Sequence, residues 1–110
     1  MKFIMFVCTD PSAEPYSPEH DNIEAWVAEY DGSGVRVAGD RLQPAEASTT
    51  VRIRQGKRLV EDGRSAITPD WIAGFDILDC ANLDQAIEVA AKHPMARFGR
   101  IEIRPFWIWE

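Results

Sequence analysis

The sequence predicts an α+β fold in which two helices cover one face of a largely antiparallel sheet. Three observations support this prediction. The chain has 110 residues, enough for one core without disulfide staples. Its apolar segments have the lengths of strands and helices, and their order along the chain is strand, helix, strand, hairpin, strand, helix, strand. No linker or repeat separates them, so residues 1–110 are expected to form a single domain.

The first segments are a strand and a helix. Lys2 to Cys8 is almost entirely apolar and has strand length, which is typical of a central strand. After a proline-rich loop, Ser17 and Pro18 are predicted to begin the helix, because serine caps free amides and proline is tolerated at the first helical position. The inward stripe of this helix is predicted to be Ile23, Trp26, Val27 and Tyr30.

The middle of the chain predicts a second strand, beginning at Val35, and then a hairpin. Thr49 to Arg54 alternates in polarity, so Val51 and Ile53 are expected to face inward. A Gln-Gly turn leads into Lys57 to Asp62, which gives the hairpin a basic outer face. Such a face is typical of a solvated edge, and anion binding is the alternative.

The last third predicts a strand, a helix and a final strand. Trp71 to Asp79 is apolar, with Gly74 marking a bulge or a close backbone approach. Asn82 and Gln85 form a capping box that begins the helix, and Arg100 to Arg104 alternates as a strand. The buried stripe of the helix is predicted to be Leu83, Ala86, Ile87, Ala90 and Ala91.

This order of elements is a ferredoxin-like, split βαβ arrangement with an inserted β-hairpin. The chain closes on an aromatic segment that contains Phe106, Trp107 and Trp109. A core of this size has little room for all of these rings. We therefore expect them to contribute to a homodimer interface.

Charge and composition exclude several classes of function. Twelve basic and eighteen acidic residues give a net charge of −6, which opposes binding to nucleic acid. No apolar run approaches the roughly 20 residues that cross a bilayer, and the N-terminal apolar run lacks a cleavage site. Cys8 and Cys80 are expected to be reduced, buried thiols. We therefore expect a cytoplasmic protein without a membrane partner.

Motifs for metals and cofactors are missing from the sequence. The two histidines and two cysteines are well separated, and there is no His-Glu-x-x-His. There is also no phosphate loop, nucleophile elbow or dinucleotide fingerprint. The sequence therefore predicts that any chemistry is cofactor-free.

Several short motifs together resemble the YCII-related family, and within it the DGPF branch. The matching segments are Gly39-Asp40-Arg41-Leu42-Gln43-Pro44, Gly74-Phe75 with Asp79, Leu83-Asp84-Gln85-Ala86-Ile87, and Glu102-Ile103-Arg104-Pro105. The tetrapeptide that names the branch is half present, because Asp62-Gly63 is followed by Arg64-Ser65 instead of Pro-Phe.

This resemblance implies a ferredoxin-like subunit that pairs through its sheet into a dimeric α/β barrel, with a cleft between sheet and helices or at the subunit border. Some YCII-type relatives are believed to use a histidine and an aspartate in lyase chemistry, such as elimination of a halide. In those relatives the histidine lies in a Pro-x-His near the first helix. Pro18-Glu19-His20 matches this pattern.

His20 is accordingly the predicted general base. An imidazole with an ordinary pKa of about 6.5 can accept a proton at neutral pH, and a carboxylate would fix its tautomer. The candidate carboxylates are Asp62, Asp40 and Glu46. The alternative is a solvated histidine at the start of a surface helix.

Asp62 is the predicted partner of His20, because a turn fixes its carboxylate at the end of a strand and Gly63 permits a positive φ angle. Arg64 is predicted to bind an anionic group of the substrate. Asp40 and Arg41 are the other predicted substrate-binding residues. The alternative is an ordinary Asp-Gly turn.

His93 is predicted to have a structural role. It lies in the last turn of the second helix, where a partly protonated imidazole interacts favourably with the helix dipole. This position accounts for the residue without any part in catalysis.

Three hypotheses about function follow. The first is a small homodimer with a pocket for an organic acid or phenol-like ligand, which catalyses proton transfer or elimination through His20 and Asp62. The second is a non-enzymatic ligand-binding or regulatory module. The third is a purely structural dimer.

Overall fold

The computed structural model describes residues 1–65 and 71–108. Its strands are β1 Lys2–Cys8, β2 Arg36–Arg41, β3 Thr49–Arg54, β4 Lys57–Asp62, β5 Ile72–Asp79 and β6 Arg100–Pro105. Its helices are α1 Ile23–Gly32, α2 Leu83–Ala91 and the short α3 Met95–Phe98. This is the predicted order of elements with α3 added. Trp109, part of the predicted aromatic segment, lies outside the described residues.

Four strands form the main sheet in the order β2-β5-β1-β6, and every neighbouring pair is antiparallel. β5 therefore lies between β1 and β2, which α1 connects. This is the topology of a ferredoxin-like fold. The predicted fold class is confirmed, and the hairpin β3-β4 forms a separate two-stranded sheet inserted between β2 and β5.

Both long helices cover the same face of the main sheet, which we call the inner face. Trp26 of α1 and Val89 of α2 are joined by a hydrogen bond of 2.9 Å from the indole Nε1 to the backbone oxygen. The buried core contains Phe3, Met5, Val7, Trp26, Tyr30, Leu78, Cys80, Ala86, Val89 and Ala90. The stripe predicted for α1 is confirmed at Trp26 and Tyr30, while Ile23 and Val27 pack at its margin.

The start of α1 differs from the prediction. Pro18–His20 forms a separate 3-10 turn, and α1 begins only at Ile23. The backbone N–H of Ile23 donates to Asp21 Oδ1 at 3.2 Å. A free amide of the first turn is thus bound by Asp21, and the predicted start at Ser17 and Pro18 was wrong.

The predicted cap of α2 is confirmed, but its predicted stripe was partly wrong. Asn82 Oδ1 accepts the backbone N–H of Gln85 at 2.9 Å. Leu83 and Ile87 are each 50% exposed, because the helix turns Ala86, Val89 and Ala90 toward the sheet instead. Small residues on this side let α2 approach the sheet closely.

The hairpin has the predicted strands but not the predicted burial. Its turn places Gln55 and Gly56 at φ angles of 52° and 75°, the left-handed conformation typical of a two-residue hairpin loop. Val51 and Ile53 are 61% and 66% exposed, so the prediction that they face inward was wrong. The reason is that, among the described strands, β3 and β4 pair only with each other.

The hairpin also extends the molecule. The radius of gyration is 16.2 Å, against about 13 Å for a compact chain of this length. In the rest of the described chain, Cys8 and Cys80 are free and buried as predicted, and burial raises the pKa of both thiols. Among the described residues there is no helix long and apolar enough to cross a membrane.

Candidate functional site

A cleft of about 620 Å³ opens on the inner face of the sheet. It lies between α1, the strands β2 and β5, and the segment that joins α2 to α3. Most of its lining is apolar and includes Val7, Ile23, Trp26, Val27, Pro94, Met95 and Phe98. The polar residues Arg36, Asp76 and His93 lie among these side chains, so any ligand would meet a few fixed polar groups in an apolar enclosure.

Asp76 is the buried acid of the cleft. It projects from β5 on the inner face, where only 6% of the residue is exposed. Arg36 holds it through a hydrogen bond of 2.7 Å from Nε to Asp76 Oδ1. The other two nitrogens of the guanidinium donate to Asp31 Oδ1 at 2.9 Å and to the backbone oxygen of Gly39 at 3.0 Å. Arg36 is therefore fixed at all three nitrogens.

Gly39 makes room for this pair. It lies directly opposite Asp76 in the register of β2 and β5. A Cβ atom at this position would overlap Asp76 Oδ1 and lie 2.8 Å from the nearest guanidinium nitrogen of Arg36. Position 39 therefore requires a glycine for steric reasons, and the sequence pattern of the Gly39 to Pro44 segment does not reveal this requirement.

Burial raises the pKa of the Asp76 carboxyl above its ordinary value, and the hydrogen bond from Arg36 opposes this effect without cancelling it. Burial also acts to lower the pKa of Arg36, but the hydrogen bonds to Asp76 and Asp31 outweigh it and the net direction is upward. The guanidinium therefore stays charged while the carboxyl becomes a stronger base than an ordinary aspartate.

One oxygen of Asp76 is open to the cleft. Only Oδ1 accepts a hydrogen bond among the described residues. In the same part of the chain no buried side-chain oxygen or nitrogen lacks a partner, so Oδ2 is not enclosed by protein. Asp76 therefore presents a single free oxygen to whatever occupies the cleft.

His93 is the second polar group, and it is also buried, with 6% exposed. The backbone N–H of Met95 donates to its Nδ1 at 3.0 Å, so the neutral ring has its proton on Nε2. Nε2 has no partner among the described residues. Because no buried side-chain nitrogen of the described chain lacks a partner, Nε2 is not enclosed by protein and is open to the cleft. The ring of Trp26 packs edge-on against the imidazole at 4.7 Å between centroids.

Burial lowers the pKa of His93 to about 4, although the charge of Asp21 acts in the opposite direction. The imidazole is therefore neutral at physiological pH. The prediction that it is partly protonated and interacts with the helix dipole was wrong, because the residue faces the core and not the solvated end of α2. Its Nε2–H is a fixed hydrogen-bond donor.

The mouth of the cleft is more polar and more exposed. Tyr16 donates its hydroxyl to Asp21 Oδ2 at 2.6 Å, and its ring lies 5.1 Å from that of Phe98. The predicted substrate-binding residues Asp40 and Arg41 both line the cleft. Arg41 is exposed and makes no ion pair with any described residue, so a cation is free at the mouth.

The other predicted site residues lie elsewhere. His20 is exposed, and its Nδ1 lies 3.3 Å from Ser17 Oγ. Asp62 is exposed at the end of β4, and Gly63 has the expected positive φ, 100°. Within the described chain no hydrogen bond joins His20 to Asp62, and neither of them nor Arg64 lines the cleft. Their catalytic and binding roles stay predictions.

Sequence reasoning missed Asp76 and placed His93 outside the site. A signal for Asp76 is present, because it is the only charged residue inside the apolar run from Trp71 to Leu78. A charged side chain on the buried face of a strand is expected to have a partner. For the described residues, no group of three or more histidine, cysteine, aspartate or glutamate residues is placed to hold a metal ion.

Comparisons with known proteins give a family, one relative in sequence and one similar solved structure. The sequence profile of the YCII-related domain matches residues 1–110. An uncharacterised protein of Rhizobium meliloti (strain 1021) is 36% identical over 72 residues, which cover 64% of this chain. That match spans only 58% of the relative's own length.

One similar solved structure is 5-chloro-2-hydroxyhydroquinone dehydrochlorinase from Burkholderia phenoliruptrix AC1100, in complex with 2,5-dihydroxybenzoquinone. It is 14% identical, its TM-score is 0.49, and the alignment covers 97% of this chain and 94% of that one.

Proposed function

The chain belongs to the YCII-related family, and from this premise we propose that its inner-face cleft binds a small organic molecule and transfers a proton to or from it through Asp76. The observation that carries this proposal is the buried carboxylate itself. Its Oδ1 is held by Arg36, its Oδ2 is open to the cleft, and its pKa is raised. A raised pKa in a cleft is the usual property of a general base.

His93 supports the same chemistry from another side of the cleft. Its neutral Nε2–H is a hydrogen-bond donor on a side chain that is itself buried. Such a donor stabilises an oxygen that becomes negative during proton removal. In this proposal Asp76 takes the role of general base that the sequence suggested for His20, and His93 acts as a hydrogen-bond donor.

The proposed reaction is proton abstraction followed by elimination, the lyase chemistry that the family resemblance implies. Asp76 takes a proton from the substrate, and the electron pair of that bond forms a new double bond. The leaving group departs with the electrons of its own bond. These steps need no oxidant or reductant.

The lining of the cleft suggests the class of ligand. The half-buried ring of Phe98 offers an apolar surface beside the other apolar lining residues, and a volume of about 620 Å³ accommodates a single ring with its substituents. Arg41 at the mouth makes no ion pair with any described residue, and its charge would attract a carboxylate or phenolate. A small aromatic acid or phenol fits these features.

We also propose that the protein is a homodimer formed through the outer face of the main sheet, opposite the helices. Ile4 and Phe6 of β1 pair with Ile77 and Phe75 of β5 on this face, and all four are only half-buried. Trp107 is 86% exposed near the end of the last strand. Adjacent apolar side chains left partly exposed on one face of a sheet are typical of an interface.

The test distinguishes catalysis from binding. It also distinguishes the residues of the cleft from the exposed residues His20 and Asp62. Binding of 4-hydroxybenzoate is followed by NMR of the Trp26 indole, and turnover is followed as chloride release from chlorohydroquinone. We expect Asp76→Asn to retain binding and lose turnover by at least about 100-fold. His20→Ala and Asp62→Asn are the controls and should have little effect on either.

Each other result has a definite meaning. Loss of turnover in His20→Ala or Asp62→Asn, with Asp76→Asn active, would overturn the role of Asp76 in favour of the exposed pair. Binding by the wild-type chain without turnover would favour a ligand-binding module. Absence of binding would exclude the cleft as a site for this class of ligand.

A further inference from the structure

The hairpin formed by β3, its turn, β4 and the following Gly63, residues 49–63, has an apolar side that no described residue covers. We call this segment the arm. Its register places Val51 directly opposite Val60, and Ile53 is the next residue on the same face. These three side chains are 61%, 52% and 66% exposed. The arm therefore presents a continuous strip of β-branched residues to solvent.

An isolated two-stranded hairpin is marginally stable in water, because each of its faces lacks a packing partner. Within the described chain, β3 and β4 pair only with each other. The sequence nevertheless places three β-branched residues on one face, a pattern that normally faces a buried surface. A surface outside the folded subunit is the remaining place for this face to pack.

The charge of the arm indicates what kind of surface its apolar face packs against. Four of the twelve basic and two of the eighteen acidic residues lie in the arm, so the arm has a net charge of +2 and the rest of the chain −8. A second copy of this chain is thus attractive to the arm. A nucleic acid would meet the arm favourably but would be repelled by the body of the subunit.

We propose that the arm of one subunit docks through Val51, Ile53 and Val60 onto a second copy of this chain. The proposal rests on the proposed homodimer and adds a second contact to its sheet-to-sheet interface. In a symmetric dimer both arms make the same contact, so the effect of each substitution is doubled. Arg58, opposite Ile53 on the same face, adds a cation against the acidic partner.

The experiment measures dimer dissociation of the full chain by sedimentation equilibrium. The variant Ile53→Ser/Val60→Ser removes the apolar strip, and we expect its dissociation constant to rise at least about tenfold. Leu59→Ser is the matched control, because Leu59 lies on the opposite face of the arm, across from Arg52. It should change the constant less than about twofold. Added salt should weaken the wild-type dimer.

Other outcomes overturn the proposal in distinguishable ways. If the double variant dimerises like the wild type while Phe6→Asp is monomeric, the sheet interface exists and arm docking does not. If Leu59→Ser weakens the dimer as much as the double variant, the apolar face is not the contact. A wild-type chain that is monomeric at about 200 µM would overturn arm docking and the homodimer together.

Discussion

The cleft and the arm contain the same kinds of residue in opposite environments. In the cleft, Arg36 donates to three separate partners and one of them, Asp76, is almost completely buried. In the arm, Arg54 donates to the backbone oxygen of its own neighbour, Ile53, at 2.9 Å and is exposed. Arg36 thus holds a functional group in place, whereas Arg54 mainly contributes charge.

This difference shows that burial, more than local motif, separates the two regions chemically. The Asp-Gly corner at Asp62 looks informative as a motif, yet its carboxylate is exposed to water. Asp76 belongs to no short catalytic motif, but removal of water raises its pKa and Arg36 fixes its direction. Acid–base chemistry at neutral pH depends on a buried environment like that of Asp76.

The largest expected effect comes from breaking the buried ion pair. Arg36→Leu leaves the Asp76 carboxylate without its partner, so we expect the free energy of unfolding to fall by about 3 to 5 kcal/mol. Arg54→Leu, the matched change in the arm, should alter it by less than about 0.5 kcal/mol. Urea unfolding at neutral pH measures both values.

The double variant Arg36→Leu/Asp76→Leu completes this comparison. It removes both charges and should recover much of the stability lost in Arg36→Leu, because no unpaired charge stays buried. Equal losses in Arg36→Leu and Arg54→Leu would mean that the pair does not stabilise the charge of Asp76.

The fold could be predicted because its signals are local and periodic. The capping box at Asn82, the apolar run of β1 and the Gln-Gly turn each specify their element without long-range information. The order of elements then leaves few topologies. The predicted boundaries of elements were wrong where contacts in the folded chain decide them. For example, Asp21, and not Ser17, binds the first amide of α1.

The site could be predicted only in part because it depends on contacts across the sheet. Asp40 and Arg41 were identified through a family segment, and both line the cleft. The pairing of Arg36 with Asp76 spans 40 residues, and no spacing rule reveals it. The exposure of Ile53 was missed for a similar reason, since an alternating strand looks the same whether its apolar face meets the core or another molecule.

The second expected effect is the contribution of His93 to the pH dependence of stability. The folded chain keeps His93 neutral down to about pH 4, whereas the unfolded chain protonates it below about pH 6.5. The unfolded state therefore binds the extra proton, and stability falls as the pH falls through this window. Between about pH 7.5 and about pH 5 the contribution of His93 should amount to roughly 2 kcal/mol of lost stability.

Comparing variants isolates this contribution from the carboxylates, which titrate in all of them. In His93→Asn the fall in stability over the same pH range should be smaller than in the wild type by that amount. His20→Asn is the control, because it replaces an exposed imidazole that lies outside the cleft. If His93→Asn shows the same fall in stability as the wild type, the imidazole is not kept neutral by burial.

The smallest expected effect concerns the exposed apolar face of the arm. Ile53→Ala, in chain dilute enough to be monomeric, should change the free energy of unfolding by less than about 0.5 kcal/mol, because an exposed side chain has few contacts to lose. A buried methionine such as Met5 would lose about 2 to 5 kcal/mol on the same truncation. Urea unfolding at two protein concentrations measures the difference. A large loss in the monomer would mean that Ile53 packs within its own subunit, whereas a loss that appears only at the higher concentration is what docking onto a second copy requires.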